Sequence, residues 1–203
     1  MTVAGVLLTG GESRRLGSPK AALVVQGERL ADRASRALQT VCTPVLEVGP
    51  GFSSLPAVRE DPPGSGPLAA LATALDALTA RGHEGPAIAL AVDLPAIDAA
   101  IVGWLARHPA TESVVPMVAG RAQPLCARYA PVARATAQSL VVSGERSMQA
   151  LLAAIDVRYV DEGEWGGVCD ASAFFDIDTA ADAARAGAEL PAAAPDGRGA
   201  PSR

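Results

Sequence analysis

The sequence predicts an α/β fold, a mainly parallel sheet covered by helices on both faces, and three observations predict it. Short apolar runs of strand length, at residues 3–8, 44–48, 87–92 and 114–118, alternate with segments of helical periodicity at 29–41, 67–78 and 97–105. The run at 87–92 is apolar without interruption, as strands buried on both faces are. Glycine-rich or acidic turns follow several of these runs directly, and in open α/β sheets ligands bind beyond the carboxyl ends of the strands.

The elements follow in order. After the first strand comes the loop LTGGESRRLGSPK, residues 8–20, then a short apolar run at 21–25 closed by a Gln26–Gly27 turn. Residues 29–41 place Leu30, Ala34, Ala37, Leu38 and Val41 on one helical face. The strand at 44–48 ends in Gly49-Pro50-Gly51, and an extended piece at 57–60 leads into the loop DPPGSG, residues 61–66. Pro67 suits the first position of the helix expected over 67–78. Strand 87–92 is broken by Asp93-Leu94-Pro95, a helix resumes over 97–105, and 114–118 and 123–129 read as extended. Helices are expected over 131–140 and 147–154, a strand at 157–160, an extended piece at 174–177 and a last helix over 179–188. Thr179 and Asp182 have the spacing of a capping box, with Asp where Glu or Gln is usual.

A length of 203 residues suits one domain, placed at 1–189; residues 190–203, rich in Ala, Pro and Gly and without an apolar face, are expected to be a disordered tail. With aromatics at 3%, the core must be built mostly of Ala, Val and Leu. A net charge of −5 without any Lys/Arg run argues against nucleic acid as a partner. The longest apolar run, 86–92, is far too short to span a membrane. Cys42, Cys126 and Cys169 lie far apart with no C-x-x-C pair, which with no secretory leader points to a reduced, cytoplasmic protein without structural zinc. His83 and His108 are expected as solvated loop or helix-end residues.

Local positive charge is instead gathered in the opening loop. Gly10–Gly11 allow close backbone approach to a ligand, Arg14–Arg15 supply forked donors for phosphate, and Lys20 adds a mobile point charge. This make-up fits a polyphosphate, although neither G-x-G-x-x-G nor G-x-x-x-x-G-K-[ST] is present. Asp93, at a strand's carboxyl end, reads either as a carboxylate holding Mg²⁺ against substrate phosphates or as a helix N-cap. Asp61 either accepts from a ribose hydroxyl or a base N–H, or closes a turn on its own backbone. Gly64 to Leu68 either bring backbone donors against a base or form a plain Gly-Pro turn before the helix. Asp176 and Asp178 share one face of an extended segment; Asp176 reads as a second metal ligand or as a contact to the acceptor substrate.

LTGGESRRLGSPKAAL resembles the L-x-GG-x-S-x-R-x-G-x-x-K-x-x-L signature of nucleotidyltransferases, above all the molybdenum cofactor guanylyltransferases. Glu60-Asp61, GPLAAL at 66–71, Asp93-Leu94-Pro95, Gln123-Pro124-Leu125 with Tyr129, and the closing FDIDTAAD match in order. The resemblance implies a Rossmann-like three-layer sandwich of nucleotidyltransferase type, transferring GMP from GTP to the terminal phosphate of molybdopterin or its molybdenum form. It assigns GTP binding to Leu8, Thr9, Gly10, Gly11, Lys20, Asp61, Gly66, Pro67, Leu68 and Asp93, catalysis to Arg15, Lys20 and Asp93, and Mg²⁺ to Asp93. The acceptor falls to Gln123, Asp176 and Asp178, the last two standing where the family has an Asn pair. Transient contact with proteins that assemble molybdoenzymes is a further implication. The rival expectations are the same chemistry with CTP or a sugar phosphate, and a nucleotide- or cofactor-binding regulatory protein without catalysis.

Overall fold

The computed structural model describes residues 2–10 and 16–189. The strands are β1 (Ala4–Leu8), β2 (Val24–Val25), β3 (Glu28–Arg29), β4 (Val45–Val48), β5 (Ala57–Val58), β6 (Ala87–Ala91), β7 (Ser113–Val118), β8 (Arg121–Ala122), β9 (Cys126–Tyr129), β10 (Val157–Val160) and β11 (Ala188–Glu189). The helices are α1 (Leu30–Gln39), α2 (Pro67–Ala80), α3 (Ala99–Arg107), α4 (Ala133–Val142), α5 (Met148–Ala154), α6 (Glu162–Trp165) and α7 (Ala180–Arg185).

The main sheet runs β10-β7-β9-β6-β1-β4-β5, with β8 appended to β7. β1 pairs in parallel with β4 and β6, β4 with β5, and β7 with β10; β9 alone runs antiparallel to both of its neighbours. From β1 the chain moves outward to β4 and β5, then returns to β6 on the other side. Strand order therefore reverses at β1, and the crevice beyond its carboxyl end is where such sheets take ligands.

The alternation of strand side chains divides the core in two. Val6, Leu8, Leu46, Val48, Ala87 and Ala89 face α2, α4 and α5, while Leu7, Ile88 and Leu90 face α1, α3 and the Trp165–Phe174 pair. Helix α2 is apolar nearly all round because it lies between the sheet and α4. This is the three-layer α/β sandwich expected, with β9 and the short β8 reversed.

Several element ends differ from expectation for identifiable reasons. Asp98, whose Oδ1 accepts from Ala100 N at 2.8 Å and Ile101 N at 3.4 Å, caps α3 and starts it two residues late. The apolar run at 21–25 splits into a 3-10 turn at Lys20–Ala22 and β2, which folds back on β3 through Gln26 and Gly27 at φ of 53° and 80°. The last helix stops at Arg185, because residues 188–189 leave it to pair with β2. The segment expected to be extended from 174 begins with a 3-10 turn at Ala171–Phe174.

The histidines sit at the expected positions but are not simply solvated. His83 Nε2 lies 3.1 Å from the Pro86 carbonyl oxygen, and His108 stands edge-on to Trp104 and accepts the Ala110 N–H. All three cysteines are free, Cys42 and Cys126 within the core. No helix among the described residues is long and apolar enough to cross a membrane.

Candidate active site

Beyond the carboxyl ends of β1 and β6 lies a cavity of about 510 Å³. Its floor is Leu8, Thr9 and Gly10, fixed by the Thr9 N–H to the Val48 carbonyl at 3.0 Å and the Val92 N–H to the Leu8 carbonyl at 3.1 Å. Gly66, Pro67 and Ala70 form one wall, Leu125 and Ala91 another, and Lys20, Asp93 and Asp178 stand together at its polar end. Arg146 holds the wall from behind, donating from Nη1 to the Ser65 carbonyl at 2.8 Å.

Three distant segments converge at that polar end. Lys20 Nζ donates to Asp93 Oδ2 at 2.8 Å and to Asp178 Oδ1 at 2.5 Å. Burial works against the Lys20 ammonium, but Asp93 and Asp178 outweigh it and hold its pKa above the ordinary lysine value. Asp93 is free for this task because Asp98 caps α3. Asp178 is placed twice over: the Ile177 N–H donates to the Asp93 carbonyl at 3.0 Å, and Asp182 accepts from the backbone of Asp178 and Thr179. The Thr179–Asp182 capping box is present, with Asp serving where Glu or Gln is usual.

Asp93 and Asp178, brought together at the Lys20 ammonium, are the carboxylates of the site that could hold a cation. No cluster of three or more His, Cys, Asp or Glu side chains fit for a metal occurs among the described residues. That donor set suits Mg²⁺, which takes one or two carboxylates and completes its shell with phosphate oxygens and water.

A second chamber of about 280 Å³ adjoins the first through Gly10, Glu60 and Gly64, and is otherwise lined by Gly49, Pro50, Arg59 and Pro63. Glu60 is only 8% exposed, and its Oε1 accepts the Gly64 N–H at 3.0 Å. Beneath the chamber lies Glu47, fully buried, whose carboxylate accepts from Thr9, Gly51, Phe52 and Ser53.

The structure thus brings together Leu8, Thr9, Gly10, Lys20, Gly66, Pro67, Asp93 and Asp178 of the residues singled out from sequence. Gly11 and Arg15 lie outside the described residues. Asp61 is exposed and outside the lining of either chamber, and Glu60 faces both in its place. Both lie past the end of β5 at Val58; Glu60 is the one turned inward, where the Gly64 N–H holds its carboxylate, while Asp61 stays exposed. Leu68 is buried in the core of α2, so it is Gly66 and Pro67 that border the cavity. Gln123 turns its amide to the Arg121 carbonyl, leaving Leu125 as the lining residue of that stretch. Asp176 is outside the lining, but partial burial and the nearby carboxylates of Asp178 and Asp93 push its carboxyl above the usual range. Glu47 and Arg146 carried no motif; a charged residue inside the apolar strand run 44–48 was the one signal for Glu47.

The MobA-like NTP transferase domain family matches residues 5–161. A protein of Opitutus terrae named probable molybdenum cofactor guanylyltransferase is 41% identical over 160 residues, 75% of this chain and 79% of that one. One of the same name from Chloroflexus aggregans is 33% identical over 175 residues, 80% of this chain and 81% of its own. The crystal structure of molybdopterin-guanine dinucleotide biosynthesis protein A from Archaeoglobus fulgidus superimposes with a TM-score of 0.73 at 21% identity, covering 91% of this chain and 96% of that one. The backbone likeness shows the shared fold, and the sequence match over most of both chains shows kinship: the chain belongs to the MobA-like NTP transferase family and is a nucleotidyltransferase.

Proposed function

We propose that this chain transfers GMP from GTP to the terminal phosphate of molybdopterin or its molybdenum form, releasing pyrophosphate. The observation that carries the reading is the Lys20 ammonium held between Asp93 and Asp178 at the end of a cavity floored by the Thr9–Gly10 backbone. The names of the relatives support guanine and molybdopterin as the two substrates.

An oxygen of the acceptor phosphate attacks the α-phosphorus of GTP, and the bond to the bridging oxygen of the β-phosphate breaks. The attacking oxygen of the acceptor phosphate is already anionic at neutral pH, so the step needs positioning and charge neutralisation rather than a strong base. Lys20 exchanges a carboxylate partner for a phosphate oxygen and stabilises charge on the departing pyrophosphate. Arg15, in the opening loop, is assigned the same duty. Asp93, with Asp178 beside it, would hold Mg²⁺, which when bound supplies Lewis-acid polarisation of the phosphate oxygens. Gly66 and Pro67 border the nucleotide, and Asp178 lies toward the acceptor.

The test is pyrophosphate release with molybdopterin and Mg²⁺ and each nucleoside triphosphate in turn. Release with GTP above the others supports the reading. Release with CTP instead moves the chain to cytidylyl transfer, and release with none favours a binding protein.

A further inference from the structure

We propose that Glu47 is a positioning residue for the nucleoside half of the substrate, a fixed buried anion that holds the wall of the second chamber in place. The inference rests on the nucleotide reading above. Glu47 lies in β4 between Leu46 and Val48, with its side chain on the opposite face of the sheet from theirs, and is 0% exposed. Among the described residues no lysine, arginine or histidine pairs with it, which for a buried carboxylate is costly unless hydrogen bonds replace the water. They do. Oε1 accepts from the Thr9 hydroxyl at 2.6 Å, Gly51 N at 3.0 Å and Phe52 N at 2.7 Å, and Oε2 accepts from Ser53 N at 2.8 Å and its hydroxyl at 2.7 Å. Burial alone would raise the Glu47 pKa, but the Thr9 and Ser53 hydroxyls and the Phe52 and Ser53 amides hold it below the usual value, so the side chain stays ionised.

The two sides of the site depend on Glu47 unequally. The Thr9–Gly10 floor is tied to neighbouring strands by backbone bonds of its own. The amides of Gly51, Phe52 and Ser53 are satisfied by Glu47. That loop carries Gly49 and Pro50 into the second chamber. It also lies flat on the floor: a Cβ added at Gly49 would stand 2.1 Å from Thr9 Oγ1 and 3.1 Å from Gly10 N. Gly49 keeps its own bond to the Val58 carbonyl at 2.9 Å, so loss of the carboxylate loosens the wall from Pro50 through Ser53, and the floor loses one hydroxyl contact, from Thr9, while keeping its backbone bonds. A residue serving only stability would weaken all ligands alike.

The experiment compares the Kd of GTP with that of inorganic tripolyphosphate, both with Mg²⁺, for wild type and Glu47→Gln. Charge-assisted hydrogen bonds are individually worth enough that the GTP Kd should rise about tenfold or more, with tripolyphosphate changed less than about twofold. The milder Ser53→Ala, which removes one hydroxyl donor, should raise the GTP to tripolyphosphate ratio about threefold, and carries the test if Glu47→Gln does not fold. An unchanged ratio in the folded variants, or a wild type that binds tripolyphosphate as well as any nucleotide, would overturn the proposal. The guanylyl reading is judged separately by the wild-type panel: if CTP binds tightest, the same ratio is taken with CTP.

Discussion

The two chambers of this site hold their carboxylates in opposite ways. In the first, Asp93 and Asp178 share the Lys20 ammonium, a side-chain ion pair between segments 73 and 158 positions away in sequence. Such a pair is open to exchange: a phosphate can take the ammonium and a cation the carboxylates. Beneath the second, Glu47 has no cation beside it among the described residues and accepts from hydroxyls and backbone amides of its own surroundings, an arrangement no ligand needs to disturb. Reacting groups need partners they can leave, whereas a binding wall needs partners it keeps. The contrast separates chemistry from shape within one crevice.

The sharpest way to break the comparison is at the exchangeable pair. Lys20→Ala or Asp93→Ala should lower pyrophosphate release by about 10²–10³-fold at saturating Mg²⁺, the scale of a lost electrostatic group in an active site. Near-normal turnover in either variant would remove that residue from the chemistry.

Gly49→Ala probes the wall. At φ 149° its new methyl would strike Thr9 Oγ1, and relief of that clash by loop movement should cost about 1–3 kcal/mol, read as a lowered denaturation midpoint together with weaker GTP binding. Thr179→Ala removes the cap that sets Asp178 and should cost about 1 kcal/mol, a Tm drop of roughly 2–4 °C.

The smallest effect is in pH. The folded pKa of Glu47 lies below its unfolded value, so its contribution is fully present above about pH 4.3 and is lost as pH falls through the folded value. Acid unfolding curves should show wild type losing stability across that window more steeply than Glu47→Gln. Parallel curves would mean that Glu47 is not the ionised group described.

Much of this was legible in the residues. Strands such as Ala87–Ala91 and helices such as Pro67–Ala80 announce themselves by unbroken apolarity, period and a proline at the first helical position. Lys20 and Asp93 were marked by loop chemistry at strand ends. What stayed hidden depends on direction and long-range contact. Nothing local in Cys126–Tyr129 states that this strand runs backward between β6 and β7. The meeting of Lys20 with Asp178 is set by the Ile177–Asp93 backbone bond and the Asp182 cap, contacts across most of the chain. The choice between Glu60 and Asp61 turned on the path of the loop after β5, where Glu60 is held inward by the Gly64 N–H, and no period is displayed there. Glu47 looked like an interruption of a strand because its donors come from the following loop.

The most direct measurement of the central claim is a crystal structure with GTP and Mg²⁺. The triphosphate should lie along the Thr9–Gly10 backbone, with Lys20 turned from a carboxylate to a phosphate oxygen and the base in the chamber of Gly49, Pro50 and Glu60 with the Glu47 bonds intact. A base lying elsewhere, or a Lys20 that keeps both carboxylates while the triphosphate binds away from it, would contradict that claim.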